Sequence, residues 1–402
     1  MSNPPEQKVR PVRGGSRGAG VGRAQRAAVI AVFVSHGLLF ASWTAHIPQV
    51  KAHLQLDDGA LGIALLGAPL GSVAAMLVAA RALPRFGSRP LVQVSLLGYC
   101  LAGPLTGVAG SLPALFAALF AWGVFQGALD VSMNTQAVTV ERAAGRPLMS
   151  GFHGAWSIGA FAGAGAGAIG VAAGLALTPQ LLLLATPVLA IAGPLTLRML
   201  RDPEPAGNVA PKRPVRFTRP VLLLGIIAFA CMLCEGATAD WAAVYLRGTI
   251  KADAAVAGLG YTAFLLTMVA VRLGGNRLLA RFRPARLLPV LTAAAAAGFA
   301  GGLLSGSTAG VIAGCACLGA GLGLVIPTVF SAAGRISDLN AGTAIAMVAG
   351  FGWAGFVFGP PIIGELASAT SLTTALWILP ALTACIAVAT ARTRALRAGP
   401  PA

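Results

Sequence analysis

The chain has 402 residues, of which 56% are hydrophobic and only 10% charged, against roughly 25% charged in an ordinary soluble domain. That shortage of charge excludes a soluble globule. The formal charge of +17 would suggest nucleic acid only if the basic residues shared a face, and they fall instead in the breaks between apolar stretches, so the expected partner is a lipid bilayer and not nucleic acid.

In chain order, residues 1–23 are rich in Gly, Arg and Pro and read as a disordered basic tail. The apolar run from Ala27 to Gln49 is too long for the core of a signal peptide and is the first membrane span. It carries His36, a candidate solute ligand, and ends near His46, which is expected at a water-exposed rim. Spans near 59–80, 91–109, 113–140, 147–173 and 179–199 complete a first six-helix bundle over residues 24–200. The prolines and charges of residues 201–218 mark a linker. Spans near 219–246, 255–279, 287–306, 308–332, 341–366 and 371–391 then form a second bundle over 219–391, and residues 392–402 are a tail. The fold class is an all-α membrane protein of about 12 transmembrane helices.

With those spans, 26 of the 29 Lys and Arg residues, counting the run from Arg272 to Arg286, lie on the side that holds both termini. Only Lys51, Arg247 and Lys251 fall opposite. The positive-inside rule makes this a multi-pass protein of the inner or plasma membrane with both ends in the cytoplasm.

The polar residues inside the spans are the candidates for function, because a charge at mid-membrane costs about 2.5 to 3.5 kcal/mol on insertion scales. Asp130 in span four is a proton-binding candidate, and Gln126 and Asn134, one turn to either side, are candidate solute ligands. His153 begins span five level with Asn134 and can relay protons or bind solute. In span seven, Glu235 is a second proton-coupling candidate. Asp240 lies five residues on, about 140° around the helix from Glu235. It therefore reads as an outer gate beside Trp241 and Tyr245. Trp353, with Trp43 and Trp156, can stack on a sugar-like face.

No metal or cofactor is expected: the six cysteines sit within spans, and Cys231-x-x-Cys234 has no second pair. Gly165-Ala-Gly-Ala-Ile-Gly170 fits a dinucleotide fingerprint but lies in an apolar helix, and Gly159, Gly163 and Gly167 make small-residue steps for close helix contact. No Walker sequence or HExxH pair is present, so the chain is not expected to be an enzyme.

The halves echo each other. Arg81-Ala-Leu-Pro-Arg-Phe86 recurs 196 residues later as Arg277-Leu-Leu-Ala-Arg-Phe282, and Gly123 and Gly127 recur at the same offset as Gly319 and Gly323. Duplicated halves around a midplane site are the plan of many secondary transporters.

Six plus six spans, a basic linker and the Arg85-Phe-Gly-Ser-Arg89 loop together resemble the major facilitator superfamily over residues 24 to 391. Its loop signature is matched by Arg85, Gly87 and Arg89, with Ala80 and Pro84 at the glycine and aspartate positions. A second copy is matched by Arg277 and Arg281, with Asn276 at the acid. The resemblance implies gating roles for Arg85, Arg89, Arg277 and Arg281. Asp130-x-x-x-Asn134, Ile47-Pro48-Gln49 and Phe152-His153 are similar to the fucose permease branch, which implies sugar/proton symport with Asp130 as the proton site. Thr44 stands where that permease has an additional acid. Span five lacks the proline of an antiporter pattern. The expectation is a monomeric carrier that imports a small polar or sugar-like solute together with protons. Efflux of a hydrophobic metabolite or drug, and a receptor or scaffold without turnover, are the alternatives.

Overall fold

The computed structural model describes residues 22–145, 148–201, 218–336, 341–393 and 396, and among them there is no strand. Most of the expected tail at 1–23 and linker at 201–218 lies outside these residues. Twelve helices are long and apolar enough to cross a membrane. In order they are Arg23–Thr44, Asp58–Ala79, Ser88–Val108, Leu112–Ala144, Gly151–Ala172, Leu177–Thr196, Arg219–Gly248, Ala254–Gly275, Pro284–Ser305, Thr308–Gly334, Met347–Ala369 and Leu372–Arg392, numbered below as spans one to twelve.

Several spans break where a proline denies a carbonyl its donor. Spans two, ten and twelve are interrupted at Leu66, Leu324 and Trp377, each three residues before Pro69, Pro327 and Pro380. Proline has no N–H for the carbonyl one turn back, so the helix restarts there. Span one likewise stops at Thr44, and a short helix, Ile47–His53, begins beside Pro48.

The packing is a repeat. Spans one and five, two and four, three and four, one and six, and three and six pack together in the first half. Spans seven and eleven, eight and ten, nine and ten, seven and twelve, and nine and twelve do the same in the second. Each pair recurs six spans on, as duplication requires. In lipid no hydrophobic force drives helices together, so close approach of small residues does that work. Gly159 and Gly163 of span five lie on the carbonyls of Val34 and Leu38 in span one, where a side chain would collide. Gly123 lies on the carbonyl of Ala68, and Gly319 on that of Phe264, each partner 196 residues further on.

The halves meet through span two on span eleven and span five on span eight, a pair of contacts that the six-span offset interchanges. With an even number of crossings, the start of span one and the end of span twelve lie at one end, here called the terminal end. At the opposite, distal end the contact is backbone on backbone. A Cβ at Gly62 would lie 3.1 Å from the Cα of Gly364 and 2.7 Å from the carbonyl of Pro360, and one at Gly258 would meet Ala168 and Ala45. This forms a distal seal.

Candidate functional site

A cavity of about 240 Å³ lies between the halves, lined from both. Spans one, two, four and five supply His36, Phe40, Trp43, Ser72, Gln126, Asp130, His153 and Trp156, and spans seven, eight and eleven supply Glu235, Asp240, Tyr261, Phe264, Arg272, Trp353 and Phe356. His153, near the terminal end of span five, is exposed although it lines the cavity. The cavity therefore opens toward the terminal end and is shut by the distal seal.

On the first-half wall, Trp156 donates its indole N–H to His36 Nδ1 at 2.6 Å. An indole nitrogen only donates, so Nδ1 is the acceptor and the hydrogen of the neutral ring stands on Nε2. That Nε2 faces the backbone carbonyl of Gln126 without a well-aligned hydrogen bond, although the residue is only 4% exposed. Tyr99 stacks on the His36 ring at 5.3 Å from behind and donates to its carbonyl, which fixes the ring. Asp130 accepts the amide of Asn134 at 3.2 Å. Asn134 itself is absent from the cavity lining, and its amide donates to both the backbone carbonyl and the carboxylate of Asp130. Phe33 packs edge-on against His153 at 5.5 Å.

On the opposite wall, Arg272 joins the halves. Its Nη2 lies 3.7 Å from Glu235 Oε1, its Nη1 donates to Ser157 of span five at 3.4 Å, and its Nε donates to the carbonyl of Gly323 at 3.1 Å. That carbonyl is free because the residue four further on is Pro327. Cys231 donates to the same Oε1 of Glu235 at 3.6 Å, so the CxxC pair serves packing and this contact. Trp353 tilts against Phe356 at 5.8 Å.

Three sequence expectations are corrected. Asp240 is not at an outer surface but lines the cavity together with Glu235. A wide cavity wraps span seven far enough to reach residues 140° apart. Arg272, counted with the inner basic residues, stands inside span eight on the cavity wall. His46 does not sit at a wet rim: it is 1% exposed, and its Nε2 is bonded to Gln180 Oε1 at 2.7 Å. Burial pushes its pKa below the usual histidine value, and the Gln180 hydrogen bond opposes that shift.

The arginines expected to gate are at the terminal end. Arg85 and Arg281 are exposed, each over the ring of its own neighbour, Phe86 at 5.4 Å and Phe282 at 5.9 Å. Gly87, at φ 79°, makes the turn between Arg85 and Arg89 that a side chain would strain. Arg277 is exposed and Arg89 half-buried. Among the described residues the ion pairs are Lys51–Asp58 and Arg272–Glu235, and none involves these four arginines. No group of His, Cys, Asp or Glu among the described residues could hold a metal ion.

Two repeated helical halves that enclose a largely apolar cavity with a few carboxyl, imidazole and amide groups define a transporter, not an enzyme. The Major Facilitator Superfamily profile matches residues 28–339, and the chain belongs to that family. It is 33% identical over 359 residues to an uncharacterized MFS-type transporter of Yersinia pestis, covering 88% of this chain and 92% of the relative. It is 32% identical over 375 residues to the membrane protein MosC of Rhizobium meliloti, covering 93% and 91%. Among solved structures, the nucleoside transporter NupG superimposes with a TM-score of 0.72 at 13% identity, covering 92% of this chain and 98% of that one. The D-xylose-proton symporter superimposes with a TM-score of 0.75 at 15% identity, covering 92% and 99%. At those identities the likeness is one of fold.

Proposed function

We propose that the protein is a proton-coupled carrier that moves a small polar solute by alternating access, with the central cavity as its site. The observation that carries this reading is the set of carboxyl groups on the cavity wall, Asp130, Glu235 and Asp240, which a scaffold or receptor would have no reason to bury at mid-membrane. Asp130 binds the proton, and Glu235 is the second coupling group through Arg272. Gln126, His36, His153, Trp353 and Asp240 meet the solute. The Asp130–Asn134 contact supports kinship with the fucose permease branch and hence uptake of a sugar-like solute. The aromatic lining lends some support to the second reading, export of a hydrophobic metabolite. With Arg272 set aside, the sequence assigns 25 of the 29 basic residues to the terminal end, which makes that end cytoplasmic and the cavity inward-facing. Arg85, Arg89, Arg277 and Arg281 then form the inner gate, and the distal seal is the outer one. The D-xylose-proton symporter, which shares the fold, supports coupling by analogy alone.

The test is proton-driven uptake beside counterflow in proteoliposomes. Asp130→Asn keeps size and hydrogen bonding but cannot take up and release a proton. Concentrative transport should vanish while counterflow survives. A mutant that still concentrates solute removes Asp130 from the coupling step.

A further inference from the structure

The charges on the cavity wall do not balance. Arg272 is the one Lys or Arg among the lining residues, and its guanidinium is already committed to Glu235, Ser157 and the carbonyl of Gly323. Two carboxyl groups remain. Asp130 has a neutral amide as its partner, and Asp240 has neither a hydrogen bond nor an ion pair among the described residues. The same half of the lining carries the rings of Tyr261, which interacts electrostatically with Asp240, and of Phe264, Trp353 and Phe356, whose faces attract cations. Across the cavity, the Nε2–H of the almost fully buried His36 faces the backbone carbonyl of Gln126 without a well-aligned hydrogen bond. A buried donor so poorly paired is unfavourable, and a solute oxygen offers it a better acceptor.

We propose that the transported solute is a small organic cation, an amine or quaternary ammonium that also carries a hydroxyl or carbonyl oxygen. Its nitrogen sits against Asp240 and the aromatic faces of the second half, and its oxygen accepts the Nε2–H of His36. The inference rests on the carrier reading and sharpens it. With a proton on Asp130, the cation on Asp240 and Arg272 on Glu235, the loaded cavity bears no net charge as the carrier turns over. An anionic solute has no cation left to meet, and a neutral polyol leaves Asp240 without a counter-charge.

The experiment uses the purified full-length protein in lipid nanodiscs and reads ligand binding by tryptophan fluorescence, since Trp43, Trp156 and Trp353 line the cavity. Choline is compared with 3,3-dimethylbutan-1-ol, which replaces the charged nitrogen by carbon, and tyramine with 4-propylphenol. D-sorbitol is the neutral polyol. At least one cation should bind tenfold or more tightly than its uncharged counterpart. Asp240→Asn should abolish that preference, and Asp240→Glu should keep part of it. Equal binding within both pairs, or sorbitol binding with neither cation bound, overturns the proposal, and so does the absence of any cation binding. These wild-type comparisons stand even if the Asp240→Asn variant fails to fold. Counterflow of radiolabelled choline separates the two readings: cation binding without counterflow keeps the solute class and removes the carrier. Sorbitol counterflow without cation binding does the reverse.

Discussion

Replacing Gly62 by valine should push the carrier out of the state described here. The Cβ alone would lie 2.7 Å from the carbonyl of Pro360 and 3.1 Å from the Cα of Gly364, and both are backbone atoms that cannot swing aside. Overpacking of this kind typically costs about 1–3 kcal/mol. A state with the distal end open pays none of it, so the equilibrium should shift by about 5- to 150-fold toward that state. Ala45, buried under Gly258 at the same end, reports the shift. In an Ala45→Cys background, a membrane-impermeant thiol reagent applied from the distal side should react faster by that factor once Gly62→Val is added. An unchanged labelling rate in a protein that melts normally would mean that spans two and eleven slide past the clash, and the distal contact would not be a seal.

Arg272→Gln should destabilise the protein toward the lower end of the ~3–5 kcal/mol seen for broken buried pairs, because the 3.7 Å contact is loose and both side chains are partly exposed. Adding Glu235→Gln should recover most of the loss in thermal melts, and a double variant no better than the single one would uncouple the two residues. His46→Ala and Gln180→Ala should each lower the melting temperature, by about 1–3 kcal/mol worth of unpaired polar group, and a double-mutant cycle should show strong coupling. The folded pKa of His46 lies below the ordinary histidine value of 6.5, so the unfolded chain binds the extra proton as pH falls through 6.5. Stability from this residue is present above that pH and lost below it. Wild-type melts should decline on acidification and His46→Gln melts should decline less. A reporter fused after Arg216 should report cytoplasm and one after Lys251 the exterior, whereas a shared location would break the topology.

The spans and the duplication were legible because both rest on chain-level signals: apolar runs of membrane length, and the 196-residue echo that the structure repeats as Gly123 on Ala68 and Gly319 on Phe264. Asp130, Glu235 and His36 were legible as polar residues in expensive places. Asp240 and Arg272 were misplaced for a common reason. A helix buried all round carries little periodicity to tell which face looks into a cavity, so distance from the span end stood in for depth. Arg272 had a signal that went unread, namely Pro327, whose missing N–H leaves a carbonyl in need of a donor. His46 was placed by its position at the end of span one, and its partner, Gln180, is 134 residues away, beyond the reach of any local pattern.

The backbone contact of Gly62 with Gly364 gives the distal closure an unusual indifference to its surroundings. It joins the two halves by dispersion and fit, with no charge for electrolyte to screen. The exposed arginines at the other end stand where headgroups and counterions gather. Changes of ionic strength or of anionic lipid content therefore act on the distal mouth only through the partly exposed Lys51–Asp58 pair beside the seal, and on the other mouth through a whole set of arginines, so salt and lipid act unequally on the two faces of the protein.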